Sequence, residues 1–200
     1  MGGVQRIPNS LTLLRFVLAV GVFVCLALGH GPAGPRTWVL DLALVLLVMA
    51  FVSDVLDGYL ARRNKWTSEF GRIADPIADK VLIAGGYIFY AALPGSLVAP
   101  WMVVVIVSRE LIVTTIRGMM EASATPLPTT YLGKAKMFLQ SLALGLAIGW
   151  QAHFYGTGPG VIYWLAVAVV WLTVVVTAAS AAVYAWLAHS LWTKGVGTPE

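Results

Sequence analysis

The sequence contains little charge and almost no cysteine. Only 11% of its 200 residues are charged, against about 25% in soluble domains, and 59% are hydrophobic. A soluble domain of this composition would expose large apolar patches and aggregate, so a lipid environment fits better. Cys25 is the one cysteine, which excludes an internal disulfide.

The common sequence patterns of nucleotide-binding and zinc proteins are also missing. Neither a glycine-rich phosphate loop nor a dinucleotide-binding pattern is present. His30, His153 and His189 have no ligand spacing with one another or with Cys25, which argues against a histidine–cysteine metal site. The net charge is only +4, and no nucleic-acid partner is expected.

Six apolar stretches are long enough for membrane-spanning helices, which need about 20 residues each. They lie at about 11–29, 38–62, 73–93, 97–120, 134–154 and 161–191, separated mostly by glycine and proline. The first is expected to be a retained span, because His30-Gly31-Pro32 does not resemble a signal-peptide cleavage site. The prediction is an all-α membrane protein with six transmembrane helices and a single domain over residues 1–200.

Basic residues are distributed unequally between the two predicted membrane faces. With six spans both termini lie on one face, and the opposite face receives only Arg36. The positive-inside rule puts the basic face in the cytoplasm, which predicts a multi-pass protein of the inner (cytoplasmic) membrane with cytoplasmic termini. The basic residues on or near that face are Arg6, Arg15, Arg62, Arg63, Lys65, Arg72, Arg117, Lys134, Lys136 and Lys194.

Four aspartates lie near the cytoplasmic ends of the second and third spans. Asp54 and Asp57 are three residues apart and Asp75 and Asp79 are four apart, so each pair shares a helix face. The short linker predicts that the two helices pack as an antiparallel pair, with Pro76 in the first turn of the second helix. Four carboxylates at membrane depth need protons or cations to neutralise them, and clustered hard oxygens favour Mg²⁺ or Mn²⁺.

Two alternatives do not require catalysis. The aspartates could form ion pairs that only hold helices together, Asp54 or Asp57 with Arg62 and Asp79 with Lys80. A divalent-cation transporter would also carry intramembrane carboxylates, but its polar path should continue across the bilayer. The outer halves of the spans carry almost no charge, and two ions held by four carboxylates suit phosphoryl chemistry better.

The stretch from Asp54 to Asp79 resembles the signature of the CDP-alcohol phosphotransferases, D-x-x-D-G-x-x-A-R-x8-G-x-x-x-D-x-x-x-D, at all eight fixed positions. The resemblance implies the six-helix fold of that family, a nucleotide-lipid donor, two Mg²⁺ or Mn²⁺ ions and a homodimer. At the matching positions Asp54, Asp57 and Asp75 resemble metal ligands, and Asp79 resembles both a ligand and the general base. The positions implied to bind the CDP group are Gly58, Ala61, Arg62 and Gly71.

Other segments resemble one branch of that family, the phosphatidylglycerophosphate synthases. They are residues 7–15, Ser108-Arg109-Glu110 with Arg117, and Gly133-Lys134-x-Lys136. The resemblance implies transfer of the phosphatidyl group from CDP-diacylglycerol to glycerol 3-phosphate. An anionic acceptor needs cations around its phosphate. The residues predicted to bind that phosphate are Arg109, Arg117, Lys134 and Lys136.

These basic residues also have simpler interpretations. Arg109 could serve only as an ion-pair partner of Glu110, and Lys134 and Lys136 could attract anionic lipid headgroups. A sister enzyme that uses phosphatidylglycerol or inositol phosphate as the acceptor would share the aspartate signature. Arg15 lies within a predicted span and is expected to require a partner there.

Overall fold

The computed structural model describes the backbone of residues 6–64, 69–122 and 131–193, and the side chains of residues 13–56, 77–120 and 136–190. Within these ranges the chain is helical, apart from loops and one minimal antiparallel hairpin. The elements are α1 (Arg6–Leu28), β1 (His30–Gly31), β2 (Gly34–Pro35), α2 (Thr37–Asn64), α3 (Glu69–Ala91), α4 (Pro100–Ala122), α5 (Tyr131–His153) and α6 (Val161–Thr193).

The helices coincide with the six predicted apolar stretches to within a few residues, so the all-α class is confirmed for the described part of the chain. The largest offset at a helix start is in α1, which begins at Arg6, because residues before an apolar run can also be helical. In the same way α3 begins at Glu69, and Pro76 therefore lies in the helix interior. Its prediction in the first turn was wrong, and its missing N–H removes one intrahelical hydrogen bond.

Two helical segments in the described part are long and apolar enough to cross a membrane. They are Thr37–Leu56, with a mean hydropathy of 2.5, and Val161–Ser190, with a mean hydropathy of 2.4. The segment Leu13–Leu28 is apolar but shorter. The other helices carry charge within their apolar stretch, such as Arg109 and Glu110 in α4, and six transmembrane helices stay a prediction.

Large apolar side chains also lie exposed on the outer faces of the helices. Val161 is 86% exposed and Trp186 is 69% exposed, and Val17, Val104 and Leu111 are similarly open. Water would make this surface unfavourable, whereas lipid tails solvate it. The outer surface of the helices therefore matches a lipid environment.

α1 lies between α2 and α3 and packs closely on both. The sequence predicts that α2 and α3 pack directly on each other, but across the residues that the structure describes they make little mutual contact. The reason is that the apolar side chains of α1, including Leu18, Val22 and Leu26, fill the space between them. The remaining contacts between helices join α5 to α2, α3 and α6, and α4 to α3 and α6.

Hydroxyl groups connect the buried faces of α3, α5 and α6. Tyr87 Oη donates to the carbonyl of Gln140 at 2.9 Å, and Tyr90 Oη donates to the carbonyl of Ala147 at 3.0 Å. Thr173 Oγ1 lies 3.2 Å from the carbonyl of Leu139. In an apolar interior each buried hydroxyl needs such a partner, so these contacts fix the register between the helices.

Gly85 of α3 is a position where α1 comes close to the backbone. A Cβ added at Gly85 would clash with the ring of Phe23, and this ring cannot move freely because it stacks on Phe89 with 5.3 Å between centroids. Gly85→Ala is expected to destabilise the protein by about 1–3 kcal/mol through overpacking. Thermal unfolding in detergent, followed by tryptophan fluorescence, measures the lower melting temperature.

Gly149→Ala in α5 is the matched control for this substitution. A Cβ at Gly149 meets no atom within 4 Å, so the melting temperature is expected to stay the same or to rise slightly through better helix propensity. Equal melting temperatures for both variants would contradict the close contact between α1 and α3.

Candidate active site

One buried guanidinium joins an aspartate of α2 to an aspartate of α3. Arg15 Nη1 donates to Asp79 Oδ1 at 3.0 Å, and Arg15 Nη2 lies 3.2 Å from Asp54 Oδ1. The Arg15 side chain is 1% exposed, whereas the Asp54 and Asp79 side chains are 27% and 23% exposed. Two aspartates separated by a helix connection therefore converge on a single positive charge.

Arg15 comes from α1, the helix between the other two. Asp54 lies in the C-terminal half of α2 and Asp79 near the middle of α3. Because both aspartates contact Arg15, the three side chains lie together, towards the same end of the helix bundle. The expectation that Arg15, inside a predicted span, has a charged partner is thereby confirmed. The convergence of the two carboxylate faces is confirmed for one aspartate of each pair.

One of the ion pairs considered as an alternative, Asp79 with Lys80, is not the ion pair that the structure gives Asp79, which is with Arg15. Lys80 does not pair with Asp79 but donates to Thr114 Oγ1 on α4. The Thr114 hydroxyl in turn lies 2.6 Å from the carbonyl of Glu110. The side chain of Arg62 lies outside the described residues.

Several predicted site residues belong to helices whose side chains the structure does not describe. Among the side chains that it does describe, no group of three or more carboxylates, histidines or cysteines could hold a metal ion. Two of the four predicted metal ligands, Asp57 and Asp75, lie outside the described side chains. The predicted site residues outside them are Asp57, Gly58, Ala61, Arg62, Gly71, Asp75 and Lys134.

A small cavity lies directly beside Asp54 and Asp79. Its volume is about 10 Å³, which is room for one water molecule. Leu47, Leu82 and Ile83 line it and are buried. Apolar side chains therefore form much of the wall of this cavity beside the two carboxylates.

Glu110 of α4 binds two of the predicted acceptor residues. Lys136 Nζ of α5 donates to Glu110 Oε1, and Arg109 Nη1 lies 3.5 Å from the same oxygen. Arg109 also donates through Nε to Ser180 Oγ of α6 at 2.9 Å. Arg109 and Lys136 are thus brought together, and both are buried.

Tyr184 of α6 lies against both arginines of α4. The guanidinium groups of Arg109 and Arg117 are each 5.4 Å from its ring centroid, within the range of a cation–π interaction. Arg117 Nη2 donates to Tyr184 Oη at 2.8 Å. Arg117 Nε is buried and has no hydrogen-bond partner among the described residues. Tyr184 was not predicted from the sequence as a site residue, because a single tyrosine in a long apolar helix gives no signal.

Lys80 connects the aspartates with the basic residues. It follows Asp79 in the chain and interacts electrostatically with Asp79 as well as with Glu110, Arg109 and Arg117. From the sequence, Lys80 was expected only as a possible partner of Asp79. We call the set Lys80, Arg109, Glu110, Arg117 and Lys136 the basic cluster. It adjoins the aspartates at one end of the bundle, with more positive than negative charges.

Comparison with known proteins identifies the family. The sequence model of the CDP-alcohol phosphatidyltransferases matches residues 5–179. The chain belongs to the CDP-alcohol phosphatidyltransferase family, and the resemblance read from the aspartate signature is confirmed. The apolar helices and the family together indicate a membrane protein.

Three relatives illustrate the similarity. The CDP-diacylglycerol–glycerol-3-phosphate 3-phosphatidyltransferase of Cereibacter sphaeroides is 37% identical over 155 residues, 76% of this chain and 64% of the relative. A probable phosphatidylglycerophosphate synthase of Mycobacterium tuberculosis is 40% identical over 146 residues, 72% of this chain and 66% of the relative. The CDP-diacylglycerol–glycerol-3-phosphate 3-phosphatidyltransferase of Bacillus subtilis is 32% identical over 147 residues, 70% of this chain and 74% of the relative. The chain spans just under two thirds of the length of the first two.

Proposed function

We propose that the protein transfers the phosphatidyl group of CDP-diacylglycerol to glycerol 3-phosphate, giving phosphatidylglycerophosphate and CMP. The convergence of Asp54 and Asp79 beside a basic cluster is the observation that carries the proposal. Acidic side chains next to basic ones suit a reaction in which cations hold a diphosphate and arginines hold a second phosphate. The names of the relatives support the same donor and acceptor.

The donor set fits Mg²⁺ or Mn²⁺. Asp54 and Asp79 direct carboxylate oxygens at the same cation, the guanidinium of Arg15, so a positive charge is favourable between them. Asp57 and Asp75 lie about one helical turn from them on the same helices and would complete an all-oxygen set for two ions. When bound, the ions would neutralise the diphosphate and stabilise the charge that develops on the leaving CMP.

The chain's own residues then have three tasks. Arg109, Arg117, Lys134 and Lys136 bind and orient the acceptor phosphate, which brings its hydroxyl towards the phosphorus attached to diacylglycerol. Asp79 accepts the proton of that hydroxyl as the new P–O bond forms and the bond to CMP breaks. Gly58, Ala61, Arg62 and Gly71 bind the CDP group.

The acceptor phosphate must compete with Glu110 for its cations. Lys136 and Arg109 both contact that carboxylate, so the incoming phosphate either displaces Glu110 or binds beside it. Arg117 has a buried Nε with no described partner, and a phosphate oxygen that bound there would satisfy this donor. Arg117 is accordingly the residue from which we expect the largest effect on acceptor binding.

The proposal includes one membrane-embedded domain over residues 1–200, with six spans in the inner membrane. The active site and both termini face the cytoplasm, where the donor's headgroup and a soluble acceptor can meet. The acyl chains of the donor remain in the bilayer, so the site must also open sideways to lipid. The implied homodimer is tested by the mass of the protein in detergent.

The reaction is tested with purified full-length protein in detergent, supplied with CDP-diacylglycerol. Release of CMP is expected only when glycerol 3-phosphate and either Mg²⁺ or Mn²⁺ are present. EDTA is expected to reduce release to background, and added Mg²⁺ or Mn²⁺ to restore it. Mass spectrometry of the extracted lipid identifies the product.

Parallel reactions with phosphatidylglycerol and with inositol phosphate test the sister activities. CMP release with either of these, and not with glycerol 3-phosphate, would move the protein to another branch of the family. Flux of Mn²⁺ into protein-containing vesicles without any CDP-lipid would instead support a transporter.

A further inference from the structure

Arg15 is the one charged residue of α1 whose side chain is described, and that side chain is almost completely removed from solvent. It follows Leu13 and Leu14, lies within an apolar helix, and has a side chain that is 1% exposed. A cation at such a position is costly unless it is paired. Its guanidinium contacts Asp79 at 3.0 Å and Asp54 at 3.2 Å, so the pairing involves two separate helices.

Arginine suits this position better than lysine. Its planar guanidinium presents several N–H donors in a fixed fork, and Nη1 and Nη2 each contact a different carboxylate here. An ammonium group is a compact point charge on a flexible stem, and it holds two partners less rigidly. Because α1 separates α2 from α3, a side chain of α1 is well placed to hold both aspartates at once.

We propose that Arg15 is an internal counter-ion for the aspartates, a positioning residue that holds Asp54 and Asp79 together and competes with divalent ions for their oxygens. The inference rests on the proposed function, since it concerns the cations of that site. It assigns a role to α1, a helix that contributes no residue to the aspartate signature.

The competition follows from distance and charge. A Mg²⁺ or Mn²⁺ ion must approach a carboxylate oxygen to about 2.0–2.2 Å, while Arg15 already lies within hydrogen-bond distance of one oxygen on each aspartate. A divalent ion in contact with those carboxylates would be only a few ångströms from the guanidinium and would be repelled by it. When a divalent ion binds, the guanidinium of Arg15 must therefore either move away or stay close to the ion at an electrostatic cost. A substitution that removes the positive charge of Arg15 should strengthen metal binding.

Arg15→Gln and Arg15→Lys test the inference in detergent, without any lipid substrate. Electron paramagnetic resonance of free Mn²⁺ during a titration gives the affinity directly. Arg15→Gln is expected to bind Mn²⁺ more tightly by roughly tenfold or more, because a positive charge beside the ion is gone. Arg15→Lys keeps the charge but loses the fork, so a smaller increase is expected. Arg36→Gln, an exposed change at the other end of the bundle, is expected to leave the affinity unchanged.

Thermal unfolding supplies a second readout that does not depend on activity. In EDTA, Arg15→Gln is expected to melt at a lower temperature than the unaltered protein, because two neighbouring carboxylates lose a positively charged partner. Saturating Mn²⁺ should then raise its melting temperature by more than it raises that of the unaltered protein. If Arg15→Gln does not fold in EDTA, the inference is tested by the Mn²⁺ affinity of Arg15→Lys alone.

The inference would be overturned by an unchanged Mn²⁺ affinity in both variants, or by weaker Mn²⁺ binding in either variant. Its failure can be told apart from failure of the proposed function. If the unaltered protein binds Mn²⁺ and the variants bind it equally, only the role of Arg15 is lost. If the proteins bind Mn²⁺ as expected but no acceptor releases CMP, only the proposed reaction is lost. If the unaltered protein binds no Mn²⁺, the metal site fails and this inference fails with it.

Discussion

Asp79→Asn is expected to reduce the rate of phosphatidyl transfer by about 10²–10⁴-fold, the usual contribution of a general base, while the protein keeps its fold. An asparagine side chain cannot accept the acceptor's proton, and it is a weaker ligand for a divalent ion. Its amide oxygen can still accept the hydrogen bond from Arg15, so the contact between α1 and α3 should survive. Initial rates of CMP release, measured at saturating concentrations of both substrates, test this expectation.

Asp41→Asn is the matched control, since it makes the same chemical change at the opposite end of the bundle. Asp41 Oδ1 lies 2.8 Å from His153 Nε2 there, in the N-terminal part of α2, whereas Asp54 lies in the C-terminal half of the same helix. Its rate of transfer is expected to stay the same. If Asp79→Asn retained full activity, Asp79 could not be the base, and another group would have to take the proton.

Arg117→Ala is expected to raise the KM for glycerol 3-phosphate by about 10–100-fold, the effect of losing one charge-assisted contact to a phosphate. Arg117 is held at its place by Tyr184, through a hydrogen bond of 2.8 Å and the face of the ring. The KM for CDP-diacylglycerol should change much less, because Arg117 lies on α4 and outside the aspartate signature. Steady-state kinetics with one substrate varied at a time separate the two effects.

Two variants make this experiment specific. Arg36→Ala removes an arginine from the other end of the bundle and should alter neither KM value. Tyr184→Phe keeps the ring and removes the hydroxyl that accepts from Arg117, so a smaller rise in the KM of the acceptor is expected. A larger effect of Arg117→Ala on the donor than on the acceptor would assign Arg117 to the CDP side.

The helices could be predicted because their signal is local. Each apolar stretch is long, and glycine and proline mark most of the connections, so every described helix matches a stretch to within a few residues. The error at Pro76 has a local cause as well, because hydropathy does not report the polar helical residues from Glu69 onward. The predicted direct packing of α2 on α3 was wrong for the described residues, because no local pattern in the sequence reports that α1 lies between them.

The candidate site was only partly predictable for a related reason. Residue spacing places Asp54 on one helix face and Asp79 on another, and this requires no knowledge of the fold. The partners of these residues come from distant parts of the chain: Arg15 is 64 residues from Asp79. Arg117 is 67 residues from Tyr184. Only the tertiary arrangement brings such pairs together, and no spacing rule reports it.

In the proposed topology, in which α1 spans the bilayer, the position of Arg15 has a consequence for how the chain enters the membrane during synthesis. Arg15 leaves the ribosome 64 residues before Asp79, so its neutralising carboxylates do not yet exist when the first hydrophobic segment reaches the insertion machinery. An arginine in that segment resists complete burial at this stage and prefers the headgroup region. The first segment should therefore settle at its final depth only after the third has emerged, which makes insertion of this half of the molecule a concerted event.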